Sequence, residues 1–416
     1  SPKKVQITKS NYKHVLFSVA NCLGCDKEDM EDRLEFAGAK ETQCVEFIEA
    51  LNRDLVEGTT TACKLDIFKQ ALEEELFCFI QSAKAVYEHY KGSNTTDLMP
   101  AFDATCSAVQ LTALAYRDRL LAEEVNVVDT GTRKDIYASV AETVGCTRNQ
   151  AKKPVGFYTY GITVNNVINE RIEAETGLLK ERDRVKELRQ KQSEEGVCKD
   201  DLTSFSYKDW YEGSVEAQTI AEQVKNCFNI MKTDYRYKTL VQLRTDIGQI
   251  VRAKDKANES HTFLSPLGFE VANDTYKPKF DIKPHPTDPK KTVKEFYYER
   301  VKISYTDKET GKKTVKEYKR PLMSPNVSNA SKSMANFVHM LDATLIHKVN
   351  LAMEESVLFI HDSMACDIDT CDKMLYTIKE QTVDIFKDNV LELVGITTEL
   401  GDLDPREVMK SEYYFS

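Results

Sequence analysis

Thr147-Arg148-Asn149-Gln150-Ala151-Lys152-Lys153-Pro154-Val155-Gly156-Phe157-Tyr158-Thr159-Tyr160-Gly161 is a cationic run that turns aromatic. If it is helical, Arg148 and Lys152 share a face, because side chains four residues apart lie one above the other. With Lys153 they form a three-cation group. Such a group suits a triphosphate, Arg forking onto two oxygens and Lys acting as a point charge. Tyr160 follows two turns on, with a ring for stacking and a hydroxyl for hydrogen bonding. Pro154 lacks an N–H and is expected to kink the helix. By itself the run also fits a solvated helix face.

Two short apolar strands on either side of this run end in acid: Met99-Pro-Ala-Phe-Asp103 and Val357-Leu-Phe-Ile-His-Asp362. A carboxylate at a strand end projects from a rigid base, as a grip on a hard cation requires. Mg²⁺ takes oxygen ligands and commonly uses one or two carboxylates plus substrate phosphates. Two such ions roughly 3.5–4 Å apart can serve an in-line phosphoryl transfer. Taken singly, Asp103 also reads as a turn and helix cap, and His361-Asp362 as a hairpin turn.

The 416-residue chain is long enough for two or three packed lobes, and 41% hydrophobic residues suffice for a core. No stretch approaches the roughly 18 apolar residues of a membrane span. Ser1-Pro-Lys-Lys leads into no apolar secretory segment. Eleven scattered cysteines point to reduced thiols in a cytoplasm, and Cys22-Leu-Gly-Cys25 lacks the second close pair of a zinc site. Net charge is −10, which argues against a chain that coats nucleic acid with its whole surface. The charge is unevenly spread: −9 over residues 26–98, −10 over 354–412 and +7 over 277–320. A polyanion is therefore expected along one internal stripe.

Steps of three and four predict helices over Asp29–Tyr90, with Lys91-Gly-Ser-Asn-Thr-Thr as the break. Further helices are expected at Ser107–Leu121, Thr132–Val144, Asn166–Glu195, Thr233–Ala253, Ala335–Ala352 and Asp369–Leu393. A strand and turn fall at Phe263–Val271, and a strand–turn–strand at Ser356–Cys366. Phe296–Tyr305 and Lys312–Tyr318 flank Asp307-Lys-Glu-Thr-Gly311 as a basic, aromatic β-hairpin.

The order acidic strand, Arg-x3-Lys-x7-Tyr-Gly helix, His-Asp hairpin resembles the right-hand polymerases. In detail it resembles the single-subunit DNA-dependent RNA polymerases of phages and mitochondria. Phe102-Asp103-Ala-Thr-Cys-Ser107-Ala-Val-Gln110 is similar to their motif A, Arg148 through Tyr160-Gly161 to motif B, and Ile360-His361-Asp362-Ser363 to motif C. Ala20-Asn-Cys-Leu-Gly-Cys-Asp-Lys27 with Arg33, Asp135-Ile-Tyr137, Ser265-Pro-Leu-Gly-Phe269 and Asn336-Phe-Val-His339 match in register. So does the aromatic end, Ser411-Glu-Tyr-Tyr-Phe-Ser416.

The resemblance implies a mostly helical α+β fold: palm and fingers of a right hand, the thumb and N-terminal domain absent from this chain. Palm is expected over residues 1–132 and 339–416, the latter with the C-terminal foot. Fingers are expected over 133–338, with a basic hairpin at about 272–322 where relatives carry a promoter-reading loop. Asp103, Asp362 and the Ala104 carbonyl would hold two Mg²⁺ ions. Lys27, Arg33, Arg148, Lys152 and Lys153 would meet the nucleotide, with Gly161 in the same motif. Tyr160 and His339 would sense the ribose 2′-hydroxyl, and Tyr137 would lie near template and NTP. Asp103, Asp362, Lys152, Tyr160 and His339 form the expected catalytic set. Ala108 stands where DNA-synthesising relatives place a glutamate, which leaves room for a 2′-hydroxyl.

The family's Asp-x-x-Gly-Arg element has no counterpart here, since no Gly-Arg dipeptide occurs. This leads to the expectation of a catalytic subunit whose partner chain supplies thumb and N-terminal elements, as in split phage polymerases; a piece of a longer polymerase is the rival reading. DNA template, RNA product and NTPs are the expected partners, with a single-stranded-DNA-binding or loading factor, in an infected bacterium's cytoplasm. A DNA-synthesising relative and a non-catalytic nucleic-acid-binding scaffold are the alternatives.

Overall fold

The computed structural model describes residues 3–176, 178–194, 214–257, 259, 261–273, 276–284, 292–306, 313–325 and 329–415. The amino-terminal part is helical: α1 (Tyr12–Cys22), α2 (Met30–Gly38), α3 (Glu41–Glu57), α4 (Asp66–Glu73) and α5 (Leu76–Tyr90). Their apolar stripes close on one core that includes Val15, Val19, Phe47, Phe79 and Val86. Antiparallel α3 and α5 are held at one end by Tyr90 Oη donating to Glu41 Oε2 at 2.6 Å, and further along by Phe47 against Phe79, ring centroids 5.4 Å apart. A small ribbon of β1 (Val5–Gln6) and β2 (Thr95–Thr96) pairs Val5 with Thr96.

A second, larger core unites β3 (Ala101–Asp103), α6 (Ser107–Tyr116), α7 (Arg119–Glu124), α8 (Ile136–Val144), α9 (Arg148–Thr159) and α10 (Val164–Glu175) with later elements. Residues on both sides of 133 and of 338 share this core, so packing runs continuously across the boundaries expected from the sequence. In place of the single helix expected over Asn166–Glu195 there are two, α10 ending at Glu175 and α11 spanning Leu178–Glu194.

The sequence reading passed over α1 and also α12 (Val215–Thr233), which buries Ala217, Ile220, Ala221, Val224, Cys227, Phe228 and Met231. The helix expected at Thr233–Ala253 begins later, as α13 (Lys238–Ala257), after a single 3-10 turn at Tyr235–Tyr237. Among the described residues, no helix is long and apolar enough to cross a membrane.

Strands β4 (Thr262–Leu264) and β5 (Glu270–Ala272) flank the Ser265–Phe269 turn. There follow β6 (Tyr276–Pro278), β7 (Phe280–Pro284), β8 (Thr292–Phe296), β9 (Tyr298–Thr306), β10 (Lys313–Pro321) and β11 (Met323–Pro325). The expected hairpin is present as β9–β10, in register from Thr306 opposite Lys313 to Tyr298 opposite Pro321. Its expected turn, Asp307–Gly311, lies outside the described residues. This hairpin is one of three ribbons, the others being β6–β11 and β7–β8. They meet at a three-way backbone junction. Lys279 N donates to Leu322 O (2.7 Å), Leu322 N to Tyr297 O (2.8 Å) and Tyr297 N to Lys279 O (2.9 Å). Helix α14 (Asn329–Ala352), strands β12 (Val357–Ile360) and β13 (Ser363–Cys366), and helix α15 (Cys371–Phe386) complete the order.

Candidate active site

The two acidic strands lie in one antiparallel sheet, ordered β12-β13-β3. Its register aligns Phe359, Met364 and Phe102 in one row and Ile360, Ser363 and Asp103 in the next. Successive side chains point to opposite faces. Met364 and Phe102 accordingly sit in the core, whereas Ile360, Ser363 and Asp103 line a cleft. Asp362 closes the two-residue β12–β13 turn after His361, which adopts a left-handed φ of 56°. Its carbonyl accepts from Ala104 N at 3.4 Å. Directly opposed residues in such a sheet have Cα atoms roughly 4.5–5.5 Å apart. Asp362, one residue before Asp103's partner Ser363, therefore stands beside Asp103 at the same sheet end.

The carboxyl terminus braces this corner from behind. Thr105 Oγ1 donates to Tyr413 O (2.7 Å), Gln110 Nε2 donates to Tyr414 O (2.9 Å), and Ala104 forms a backbone bridge with Phe415.

The cleft encloses about 620 Å³ and takes in Asp103, Ala104, Ala108, Asp362, Lys27, Arg133, Tyr137, Arg148, Lys152 and Tyr160. The helix α9 that carries its cations starts on a capping box: Gln150 N donates to Thr147 Oγ1 (3.3 Å) and Thr147 N to Gln150 Oε1 (3.0 Å). It continues through Pro154 to Thr159. Arg148 and Lys152 share the cleft face as expected. Lys153 turns away and pairs with Glu170 at 2.8 Å. Gly161 does not line the cleft; its φ of 73° ends the helix, with Gly161 N on Tyr158 O (3.1 Å) and Ile162 N on Phe157 O (3.1 Å).

Arg148 is held from the side. Its Nε donates to Asp135 Oδ2 at 2.5 Å, and its guanidinium lies 5.3 Å from the Tyr137 ring centroid. Asp135 Oδ1 meanwhile caps α8, accepting from Tyr137 N (2.9 Å) and Ala138 N (3.2 Å). Tyr137 Oη in turn meets Cys106 Sγ at 3.2 Å. Because only Nε is used among the described residues, the terminal nitrogens of Arg148 remain available to fork onto an oxyanion. The sequence reading missed Asp135 and Cys106 as supports, although both stand inside motifs it quoted.

The Tyr160 ring stacks on His339 of α14, centroids 5.3 Å apart and planes at 20°. Burial pushes the Tyr160 hydroxyl up to about 12, with Cys106 and Asp362 adding to the effect. It therefore stays a neutral donor and acceptor at physiological pH. One turn beyond His339, Asp342 is raised to about 6 by burial and, secondarily, by the charge of Asp362. No sequence motif flagged this acid.

Lys27 lines the cleft and pairs with Asp26. Arg33 does not reach it. Fully buried, Arg33 lies over Phe17 (5.1 Å to the centroid), donates from Nε to Glu28 O (2.8 Å) and from Nη1 to Asn21 Oδ1 (3.4 Å). Burial lowers its guanidinium to about 10. Its place is to hold the Asn21–Glu28 loop that presents Lys27, a correction to the expectation of direct nucleotide contact.

Among the described residues no group of three or more His, Cys, Asp and Glu forms a metal cage. Two adjacent carboxylates facing a cationic wall instead fit Mg²⁺ shared with substrate phosphates, because that ion keeps several non-protein ligands.

A family model described as DNA-dependent RNA polymerase matches residues 5–398. The chain is 25% identical over 346 residues to DNA-directed RNA polymerase 1B, mitochondrial, of Nicotiana tabacum, covering 76% of this chain and 30% of that protein. It is 24% identical over 419 residues to a DNA-directed RNA polymerase of Pseudomonas phage phiKMV, covering 92% of this chain and 43% of that one. A third relative, DNA-directed RNA polymerase 2A of Nicotiana tabacum, is 23% identical over 345 residues, with 76% and 90% covered. The chain thus spans under half the length of the mitochondrial and phage relatives. With motifs A, B and C converging on one cleft and a family match over nearly the whole chain, it belongs to the single-subunit DNA-dependent RNA polymerase family of phages and mitochondria.

Proposed function

We propose that this chain carries the catalytic centre for template-directed RNA synthesis. The observation that carries the reading is the placement of Asp103 and Asp362 side by side, facing Lys27, Arg148 and Lys152 across one cleft. The product's 3′-oxygen forms a bond to the α-phosphorus of an NTP, the bond from that phosphorus to the β-bridging oxygen breaks, and pyrophosphate leaves. The hydroxyl proton passes to solvent. Two Mg²⁺ ions, held by Asp103, Asp362 and the Ala104 carbonyl, would activate the attacking oxygen and stabilise the leaving one.

Lys27, Arg148 and Lys152 bind and orient the triphosphate. Stacked Tyr160 and His339 frame the ribose, and the small Ala108 leaves its 2′ side open. Tyr137, on the same cleft wall, meets the template and the incoming base in this reading. Catalysis in this scheme is alignment and electrostatics, with no covalent enzyme intermediate.

Residues 1–132 and 339–416 serve as palm and 133–338 as fingers, and the three-ribbon arm is available to DNA. A second polypeptide supplies the thumb and N-terminal elements. Support for it comes from Leu55, Val56, Leu72 and Phe77, all exposed. The antiparallel α3–α5 packing brings them to one end of the first bundle, within the acidic region. A single-stranded-DNA-binding or loading factor and the cytoplasm of an infected bacterium complete the reading.

Primer extension with NTPs against dNTPs tests it. Wild type should favour NTPs, and Tyr160→Phe should narrow the preference; equal use of both by wild type would refute ribonucleotide selection. Purification tests the partner: robust processive synthesis by the chain alone would refute it.

A further inference from the structure

The cleft holds a cation that no motif singled out. Arg133 lies in the loop before α8, two residues ahead of the capping Asp135, and its side chain lines the cleft. Two bonds tie it to the loop that presents Lys27. Its backbone N donates to Asp29 Oδ1 (3.3 Å) and its Nη1 to the Lys27 carbonyl (3.1 Å). Arg133 thus joins the first helical bundle to the wall carrying Tyr137 and Arg148.

Carboxylates act on its charge only from a distance. Lys27 is paired with Asp26, and Arg148 with Asp135. Arg133 forms no ion pair among the described residues, and its buried Nε has no hydrogen-bond partner among them. Burial depresses its guanidinium; Asp135 and Asp26 oppose that effect while Arg148 adds to it. A desolvated cation beside a second cation is relieved by an anion. Its bonds to the Lys27 carbonyl and to Asp29, with Lys27 and Arg148 lining the same cleft, put it with the cations assigned above to the triphosphate.

We propose that Arg133 binds the β- and γ-phosphates of the incoming nucleotide and, after transfer, the departing pyrophosphate. This rests on the polymerase reading above and adds to it a residue that grips the triphosphate from the first bundle's side. Because the contact is made before and after the chemical step, Arg133 contributes binding more than rate.

The test uses the full chain, with any polypeptide that copurifies with it retained, on a preassembled template–RNA hybrid. Arg133→Ala should raise the KM for NTP by about 10-fold and keep kcat within about 3-fold. In the reverse reaction it should raise the pyrophosphate concentration for half-maximal cleavage by a similar factor. Arg133→Lys should recover part of both, since it keeps the charge and loses the fork. The lysine variant also decides the matter if the alanine variant loses its thermal transition. Unchanged KM for both NTP and pyrophosphate in an active enzyme overturns this inference alone. Absence of RNA synthesis by wild type overturns the polymerase reading and this inference with it.

Discussion

Asp342 is a side chain whose ionisation works against the fold. Its pKa of about 6 lies above the ordinary 3.8 because burial and Asp362 disfavour the charged form. The folded state therefore binds the proton more tightly than the unfolded chain. This contribution is fully present below about pH 4 and is lost as pH rises through about 6. With divalent cations chelated, Asp342→Asn should gain on the order of 1–3 kcal/mol relative to wild type between pH 4 and 7. Parallel pH profiles of denaturant unfolding would contradict the assignment. Asp135 is the complementary case. Asparagine at that position still caps α8 but gives up the charged bond to Arg148. Asp135→Asn should raise the NTP KM several-fold with little change in melting temperature, and an unchanged KM would show that Arg148 needs no anchor.

Helix α9 shows how much of an element its own sequence specifies. Thr147 and Gln150 supply the capping box, Arg148 and Lys152 fall on one face, and Gly161 ends the helix at a positive φ. Gly161→Ala should cost about 1 kcal/mol or more at that φ and loosen the Tyr160–His339 stack. Chemical denaturation reads the first effect and NTP/dNTP preference the second; a fully stable, equally selective variant would contradict both. The sheet was legible only in part. Val357–Ile360 and Ala101–Phe102 read as short apolar strands leading to an acid, but Val357-Leu-Phe-Ile360 is apolar throughout, so only the paired register reveals which side chains face the core and which the cleft. Other features went unread or could not be read. The apolar spacing of Ala217, Ile220, Val224, Phe228 and Met231 was there to read, but no motif drew attention to it. Arg33 and Lys153 look like cleft cations by charge alone. Only packing reveals that one is buried against Phe17 and the other is committed to Glu170. Arg133 stands just before a quoted motif, yet its direction depends on the distant Lys27 backbone and Asp29 side chain.

At the scale of the whole molecule, a chain of net charge −10 concentrates positive charge in the cleft wall and in the ribbon arm, where residues 277–320 carry +7. On the arm, Lys294 lies over Phe280 (4.5 Å) and Lys319 over Tyr298 (5.5 Å), with Tyr298 and Tyr318 exposed. Nucleic acid should therefore bind with a marked salt dependence. Lys319→Glu with Lys294→Glu should weaken template affinity and flatten its log–log salt slope by about 1 for each phosphate that is no longer neutralised. Nucleotide KM on a saturated template should stay as in wild type. An unchanged salt slope would remove the arm from the template path.

The two neighbouring carboxylates of the β12-β13-β3 sheet are the centre of the account, and single-nucleotide extension in Mg²⁺ addresses them directly. Asp103→Asn and Asp362→Asn, each checked for an unaltered thermal transition, should slow extension by on the order of 1000-fold. Extension by either folded variant at a rate within about 10-fold of wild type would contradict it.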